Sequence, residues 1–418
     1  MVPPQPQPLS LTLTNRVWRP AARVLSSPAA IFLVALVARL KVLRDLLPAH
    51  AWDYFYRYYE SAHIAWALSS GLGYSSPWPH TPIAPTAQQP PVYPLLLAGI
   101  FKLAGPYSYL SLWIAAGLNA TFSALTAVLI LRIGRRDFGA IPGTLAAWVW
   151  SCWLYEAAVS VRLWESSLSA LLVTIGLLAL PRLVETLRPW VWLLFGAFVA
   201  LAALTNASLL SVFPCFWAWL WVSYRRRGLS CAKPLWASLG MCLLVLLPWT
   251  IRNYTVFHRL IPIRDNFGLE LWLGNHEGVS RLFDNDFPVL DPSEYNRLGE
   301  IGFMEAKRQI ALQFIRHNPE QFLYLSLRRG YRYWTAPHVP VWASISVLAW
   351  LGMALMVRRR GLDAVPYAIV LLAFPLVYYI THTVSSYRHP MEPVMFLFAA
   401  YAVVAIAEAG GRWVLRRT

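Results

Sequence analysis

Ten apolar stretches punctuate the chain, at 28–47, 109–131, 141–160, 163–181, 190–205, 207–223, 234–250, 339–357, 364–382 and 391–409. Each approaches the ~20 mostly apolar residues that a helix needs to cross a bilayer. The pattern therefore predicts an all-α polytopic membrane protein with about ten transmembrane helices. The fifth and sixth stretches are short and meet at Asn206, which predicts a tight helical hairpin. Two polar regions interrupt the series. One is 48–108, aromatic and Pro-rich, whose tail PPVYPLLLAGIFKLAG is apolar but too short to span and predicts a helix lying against the membrane. The other is 251–338, where Leu298, Ile301, Met304, Ala311, Phe314 and Ile315 recur at helical spacing. That spacing predicts a mostly helical insert with one apolar face, and Asn318–Pro319 offers an N-cap and first-turn proline for a further helix.

Charge orients these segments. Arg132, Arg135 and Arg136, then Arg182 and Arg188, Arg225 to Arg227, Arg358 to Arg360, and finally Arg412, Arg416 and Arg417 all fall on one face when ten spans are counted. The positive-inside rule makes that face cytoplasmic. Both termini are then cytoplasmic, and 48–108 and 251–338 lie on the outer face. The layout reads as a basic tail (1–27, its first residues Pro- and Gln-containing and expected to be disordered), helices one to seven with the first outer loop (28–250), the outer insert (251–338), and helices eight to ten with a basic tail (339–418). The run AIFLVALVA after Arg16, Arg19 and Arg23 has the look of a signal peptide, but Arg39 and Lys41 follow and apolar segments continue, so a retained first span is expected.

Composition agrees. With 57% hydrophobic and 13% charged residues, the chain is too apolar for an ordinary soluble domain. Its 21 Trp and 20 Tyr suit a large surface at the membrane–water boundary. The net charge of +16 sits in clusters at the ends of apolar runs rather than on one face, which argues against nucleic acid as a partner. Cys152, Cys215, Cys231 and Cys242 form no CxxC pair and have no His at metal spacing, which disfavours a disulfide framework or zinc site. GxGxxG, P-loop and HExxH patterns are absent.

The polar residues collect at the outer ends of the spans. In WDYFYRYYESAHIAW, Asp53, Arg57 and Glu60 share one face if the stretch is helical. They suit a general base beside a cation, and equally an ordinary i,i+4 ion pair on a wet helix. Arg39 and Lys41 near the end of the first span suit a lipid phosphate or simple snorkelling. Glu165 opens the fourth span and Glu156 lies near the outer end of the third, so the two acids are expected to face one pocket. In THTVSSYRHPMEP, His382, Arg388, His389 and Glu392 cluster, with Arg388 suited to a phosphate. Arg252 and Asn253 emerge after the seventh span, followed by an aromatic stretch punctuated by Gly268 and Gly274. Asp53, Glu60, Glu156 and Glu165 offer oxygen ligands to a divalent metal, though their spacing does not require one.

Taken in order, ESAHIAWALSSGLGYSSP, APTAQQPPVYPLLLAGIFKLAG, ILRIGRRDFG, RLWESSLSALLVT, ALTNASLLSVFP, LPWTIRNYTVFHRLIPIRDNFGLELWLGN and SYRHPMEPVMFLFAAYAV resemble the C-type membrane glycosyltransferases. That superfamily includes protein O-mannosyltransferases and the aminoarabinose transferase of lipid A. The resemblance covers most of the chain outside the N-terminal tail. It implies a polyprenyl-phosphate-linked sugar donor, taken from the bilayer and used on the outer face of a bacterial plasma membrane. It further implies inverting transfer, hexosyl or pentosyl, to a glycan, lipid or protein, with a first-loop acid as base. The family's Asp falls on Arg57 here, with Asp53 one turn before it and Glu60 nearly one turn after. The run E-x-x-x-I-A favours Glu60 as base and leaves Asp53 second. Relatives carry a Lys before the PP of this loop, where this chain has Gln88 and Gln89. Arg388, Arg39, Arg252 and Arg57 then remain for the donor phosphate, and Tyr54, Glu165, Gln89, Tyr93, Asn253, His389 and Glu392 for the substrate cavity. Two other readings are a transporter or flippase of polyprenyl-linked sugars, which would call for inverted repeats and helices broken near mid-bilayer, and a non-catalytic relative.

Overall fold

The computed structural model describes residues 24–47, 51–56, 59–75, 78, 81–279, 292–336 and 339–415. Arg57 lies outside this set, so its predicted place beside Asp53 and Glu60 is not described. The described residues form helices joined by turns, and we number the α-helices in chain order. They run α1 (Pro28–Leu46), α2 (Ala51–Tyr56), α3 (Tyr59–Ser69), α4 (Val92–Ala104), α5 (Tyr109–Ile133), α6 (Ala140–Cys152), α7 (Leu154–Ser160), α8 (Ser166–Glu185) and α9 (Pro189–Thr205). Then follow α10 (Phe213–Arg226), α11 (Ala232–Phe257), α12 (Phe267–Gly274), α13 (Pro292–His317), α14 (Pro319–Thr335), α15 (Val341–Arg360), α16 (Val365–Ala373), α17 (Leu376–Ile380) and α18 (Glu392–Leu415).

The chain is an all-α integral membrane protein. Six helical stretches among the described residues are long and apolar enough to cross a bilayer, against ten expected: Tyr109–Phe138, Ser166–Glu185, Ala207–Arg226, Ala232–Phe257, Val341–Ile380 and Ser385–Gly410. The differences have local causes. α1 covers the first expected span but carries Arg39, Lys41, Arg44 and Asp45. The third is interrupted where Trp153 takes an extended conformation between α6 and α7. α9 has only 17 residues, and the eighth and ninth run together through a short 3-10 turn at Gly361–Ala364. The hairpin at Asn206 is present. Its side-chain oxygen accepts from Ser208 N at 3.0 Å and so starts the next turn.

The main core unites Trp150, Trp192, Phe213, Phe216, Trp342 and Phe398 from spans distant in sequence. Beneath the first loop, Phe55, Tyr93, Leu97, Phe101 and Leu112 form a second cluster. A third cluster, Trp78, Leu269, Tyr295, Phe303 and Met304, ties the loop to α12 and α13. Of the apolar face expected on the insert, Met304 and Leu298 pack in this cluster with Trp78 of the loop, whereas Phe314 and Ile315 pack with Val279 and Leu325. α14 starts at Pro319 as predicted, but the Asn318 amide donates to Phe314 O at 3.2 Å instead of capping it.

The approach of α12 to the chain after α17 is closer than a side chain allows. A Cβ on Gly274 would stand 1.7 Å from the backbone oxygen of Thr381. Backbone cannot rotate aside, so Gly274→Ala is expected to destabilise the protein by at least the ~1–3 kcal/mol of an overpacked site, read as a lower Tm in detergent.

Candidate active site

α3 delivers Glu60 toward the rest of its own loop. The carboxylate accepts hydrogen bonds from Trp78 Nε1 at 3.3 Å, Gln88 Nε2 at 3.0 Å and the Gln89 side-chain amide. Glu60 is half-buried. Burial pushes its pKa above the ordinary glutamate value, with Arg264 and the donors from Trp78 and Gln89 acting the other way. The two glutamines that stand where a lysine was expected thus become ligands of the acid itself. Asp53 sits exposed on α2, so the two acids occupy different environments.

The loop segment that carries these glutamines is fastened from several directions. Tyr74 OH donates to Gln89 O at 2.9 Å, Arg264 Nε to Gln88 O at 3.0 Å, and Asp265 N to Ala87 O at 2.9 Å. Arg252 donates to Thr86 O (2.7 Å), Tyr74 O (2.8 Å) and the Asn253 side-chain oxygen (2.9 Å). Arg252, expected to meet a donor phosphate, instead spends these donors on the loop and on its neighbour. Asn253 is buried and donates to Ile261 O at 2.9 Å, closing the turn after α11.

A charged group from the insert and the ninth-span end faces Glu60. Arg264 lies 3.6 Å from Glu270, and Glu270 lies 3.0 Å from His382 Nδ1 and accepts from Asn266 Nδ2 at 2.6 Å. Burial opposes ionisation of Glu270, yet His382, Arg264 and Asn266 outweigh it and hold its carboxyl below the usual range. His382 Nε2 is 3.1 Å from Tyr387 OH. Buried Glu165 feels the charges of Arg264, Glu60 and Glu270. The fourth-span acid therefore belongs to the Glu60 group.

Glu156 does not. It is wholly buried in a second group with His389, Arg388 and Glu392, so the two acids expected to share a pocket have different partners. His389 Nδ1 lies 2.7 Å from Glu156 Oε2 and 3.2 Å from Glu392 Oε2. Arg388 Nε donates to Glu392 at 2.8 Å, Nη1 donates to Tyr333 O at 2.7 Å, and the guanidinium carbon lies 3.8 Å from the Trp342 ring centroid. The ligand atoms of Glu156, His389 and Glu392 all lie within 4.8 Å of one another, close enough to hold a metal ion. Arg388 already pairs with Glu392, and the His389 ring bridges the two carboxylates. Arg39 is also wholly buried. It donates to Ser123 Oγ (2.7 Å), Ala35 O (3.0 Å), Ser151 O (3.2 Å) and Trp150 O (3.0 Å), so it crosslinks α1, α5 and α6. Arg39 and Arg388, both expected at a donor phosphate, are thus engaged inside the bundle. Tyr54 and Tyr93, expected in the cavity, are buried as well, with Tyr54 OH donating to Val161 O at 2.7 Å and Tyr93 OH accepting from Asn119 at 2.8 Å.

The same helical arrangement occurs in solved structures. ArnT from Cupriavidus metallidurans, bound to undecaprenyl phosphate, matches with a TM-score of 0.51 at 14% identity over 90% of this chain and 59% of that one. The Archaeoglobus fulgidus oligosaccharyltransferase, in complex with Zn and sulfate, matches with a TM-score of 0.53 at 12% identity over 91% of this chain and 49% of that one. This chain shares its fold with these two proteins. The chain spans between about half and three-fifths of the length of these two proteins. No family model matches the sequence, and no curated protein does.

Sequence reasoning passed over Arg264, Glu270 and Trp78 as site residues. Arg264 and Glu270 are ordinary charges in a connecting segment, and nothing in their spacing marks them. Glu300 carried a fainter signal, an acid one helical turn before Met304 on the face that packs against the loop.

Proposed function

We propose that the protein is a membrane glycosyltransferase that moves a sugar from a polyprenyl-phosphate-linked donor to an acceptor on the outer face of the membrane. The observation that carries this reading is the first-loop carboxylate of Glu60. It is oriented by Trp78, Gln88 and Gln89 and raised in basicity by burial, in a fold shared with ArnT bound to undecaprenyl phosphate. Glu60 takes the proton of the acceptor hydroxyl. The freed oxygen attacks the anomeric carbon as the bond to phosphate breaks on the opposite side, which inverts the sugar and releases polyprenyl phosphate. Arg264 is fixed through its Nε, and its charge acts on Glu60, Glu165 and Glu270 alike. On this reading it is the cation that steadies the departing phosphate. Glu270, paired with His382, and Glu165, which feels the same charges, orient the substrates.

The test is release of polyprenyl phosphate by purified protein in nanodiscs, supplied with undecaprenyl phosphate carrying a radiolabelled hexose or pentose and with extracted glycan, lipid and protein fractions. Acceptor-dependent release supports the reading. Donor binding with no release in any fraction counts against it and for transport. Asp53 is exposed, and surface substitutions usually stay within ±0.5 kcal/mol, so Asp53→Asn is expected to release at close to the unmodified rate.

A further inference from the structure

The amides that hold Glu60 belong to a short loop segment, and a carboxylate from far along the chain grips that segment one residue earlier. Glu300 Oε1 accepts from Ala87 N at 2.6 Å, and its Oε2 accepts from the Thr86 hydroxyl and from Tyr295 OH at 3.2 Å. Thr86 Oγ1 accepts in turn from Gln88 N at 3.0 Å. Glu300 is 7% exposed and Thr86 is wholly buried. The acid reaches this position because α13 is broken at Gly299, whose φ of +67° is open to glycine at little cost. Hydrogen bonds therefore run from Glu300 to Thr86 and Ala87 and from Thr86 to the Gln88 backbone, and the side-chain amides of Gln88 and its neighbour Gln89 bond Glu60.

We propose that Glu300 is a positioning residue. By holding Thr86 and Ala87, it sets the Gln88 and Gln89 amides on the Glu60 carboxylate, so that the insert controls the basicity of the loop acid. The part of this that concerns turnover rests on the role of Glu60 given above; the part that concerns basicity does not. Burial also pushes the Glu300 carboxyl up to about 7, and the groups facing it are the Thr86 and Tyr295 hydroxyls and the Ala87 N–H, with the charges of Asp265 and Arg252 and the Tyr74 ring nearby.

An amide at this position keeps one acceptor for Ala87 N, and the two hydroxyls can turn to accept from its NH2. Glu300→Gln should therefore preserve the segment and Glu300→Ala should release it. Freed of oriented donors, the ionised form of Glu60 loses stabilisation and its pKa rises further. The direct readout is the infrared carboxyl band that Glu60→Gln removes, titrated in nanodiscs. Its midpoint is expected to move to higher pH in Glu300→Ala and to stay near that of the unmodified protein in Glu300→Gln. In the release assay, Glu300→Ala should lower kcat by about 10- to 100-fold, the scale of a small misplacement, with little change in KM for the labelled undecaprenyl-phosphate sugar. Should Glu300→Ala fail to fold, Thr86→Val removes the same link at its other end and is expected to raise the midpoint in the same direction. A midpoint unmoved in both Glu300→Ala and Thr86→Val overturns the proposal, even where Tm has fallen, because a purely structural role lowers Tm alone. Full release by Glu60→Gln would instead sink the parent reading and leave the titration result standing.

Discussion

Glu60→Gln is expected to cut polyprenyl-phosphate release by about 10²–10⁴-fold, the contribution of a positioned general base, while the protein still folds and binds donor. The substituted amide has the shape of the carboxylate and keeps an oxygen for the Trp78 and Gln88 donors, while the Gln89 amide can turn its own oxygen to accept from the new NH2, so the loop should remain in place. What disappears is the capacity to take a proton. The pH dependence follows with a definite sign. The base works ionised, so the rate of the unmodified protein falls as pH drops through the Glu60 pKa. Burial sets that pKa above the ordinary 4.5, so the acid limb should lie higher than for an exposed glutamate, and it should be missing from whatever activity the variant retains. Full activity in the variant would remove Glu60 from the mechanism and reopen the question of which acid serves.

Arg388→Met should act on stability. Arg388 is wholly buried, bonded to Glu392 and Tyr333 O and stacked on Trp342. Its removal leaves Glu392 in the bundle with His389 as its remaining partner. Breaking one side of a buried pair costs about 3–5 kcal/mol, because the residual charge has lost both water and its partner. Thermal unfolding in detergent should show a marked fall in Tm. Adding Glu392→Gln to the same chain should recover part of it, since the orphaned charge is then gone. A phosphate site predicts the reverse pattern, with donor affinity lost and Tm unchanged. The two measurements on one variant separate an internal strut from a ligand-binding arginine.

The contrast between Arg388 and Arg264 shows where reading residues in order succeeds and fails. The cluster in SSYRHPMEP was visible because ionisable groups beside a span are costly and rarely idle. The sequence cannot say whether such a group faces a ligand or another residue. Arg39 and Arg388 turned inward, onto carbonyls and onto a carboxylate one turn away. Arg264 stood in a connecting segment and went unremarked, because its relation to Glu60 arises when the turn after α11 folds back over the loop. The acids behaved similarly. Glu165 and Glu156 are close in sequence, which predicts one pocket, but the break at Trp153 and the turn before α8 give them different partners.

Local chemistry was enough to establish a helical membrane protein, the turn at Asn206 and the start of α14 at Pro319. Hydrophobic periodicity, caps and charge clusters act over a few residues, and so they can be read directly from the string of letters. The grouping of polar side chains was settled at the level of the folded chain. Glu60 meets an amide 29 positions away, Thr86 meets a carboxylate 214 positions away, and Glu156 meets a histidine 233 positions away. A buried polar group must find a partner or pay heavily for its lost water. Which partner it finds depends on how the helices pack, and no local pattern records that.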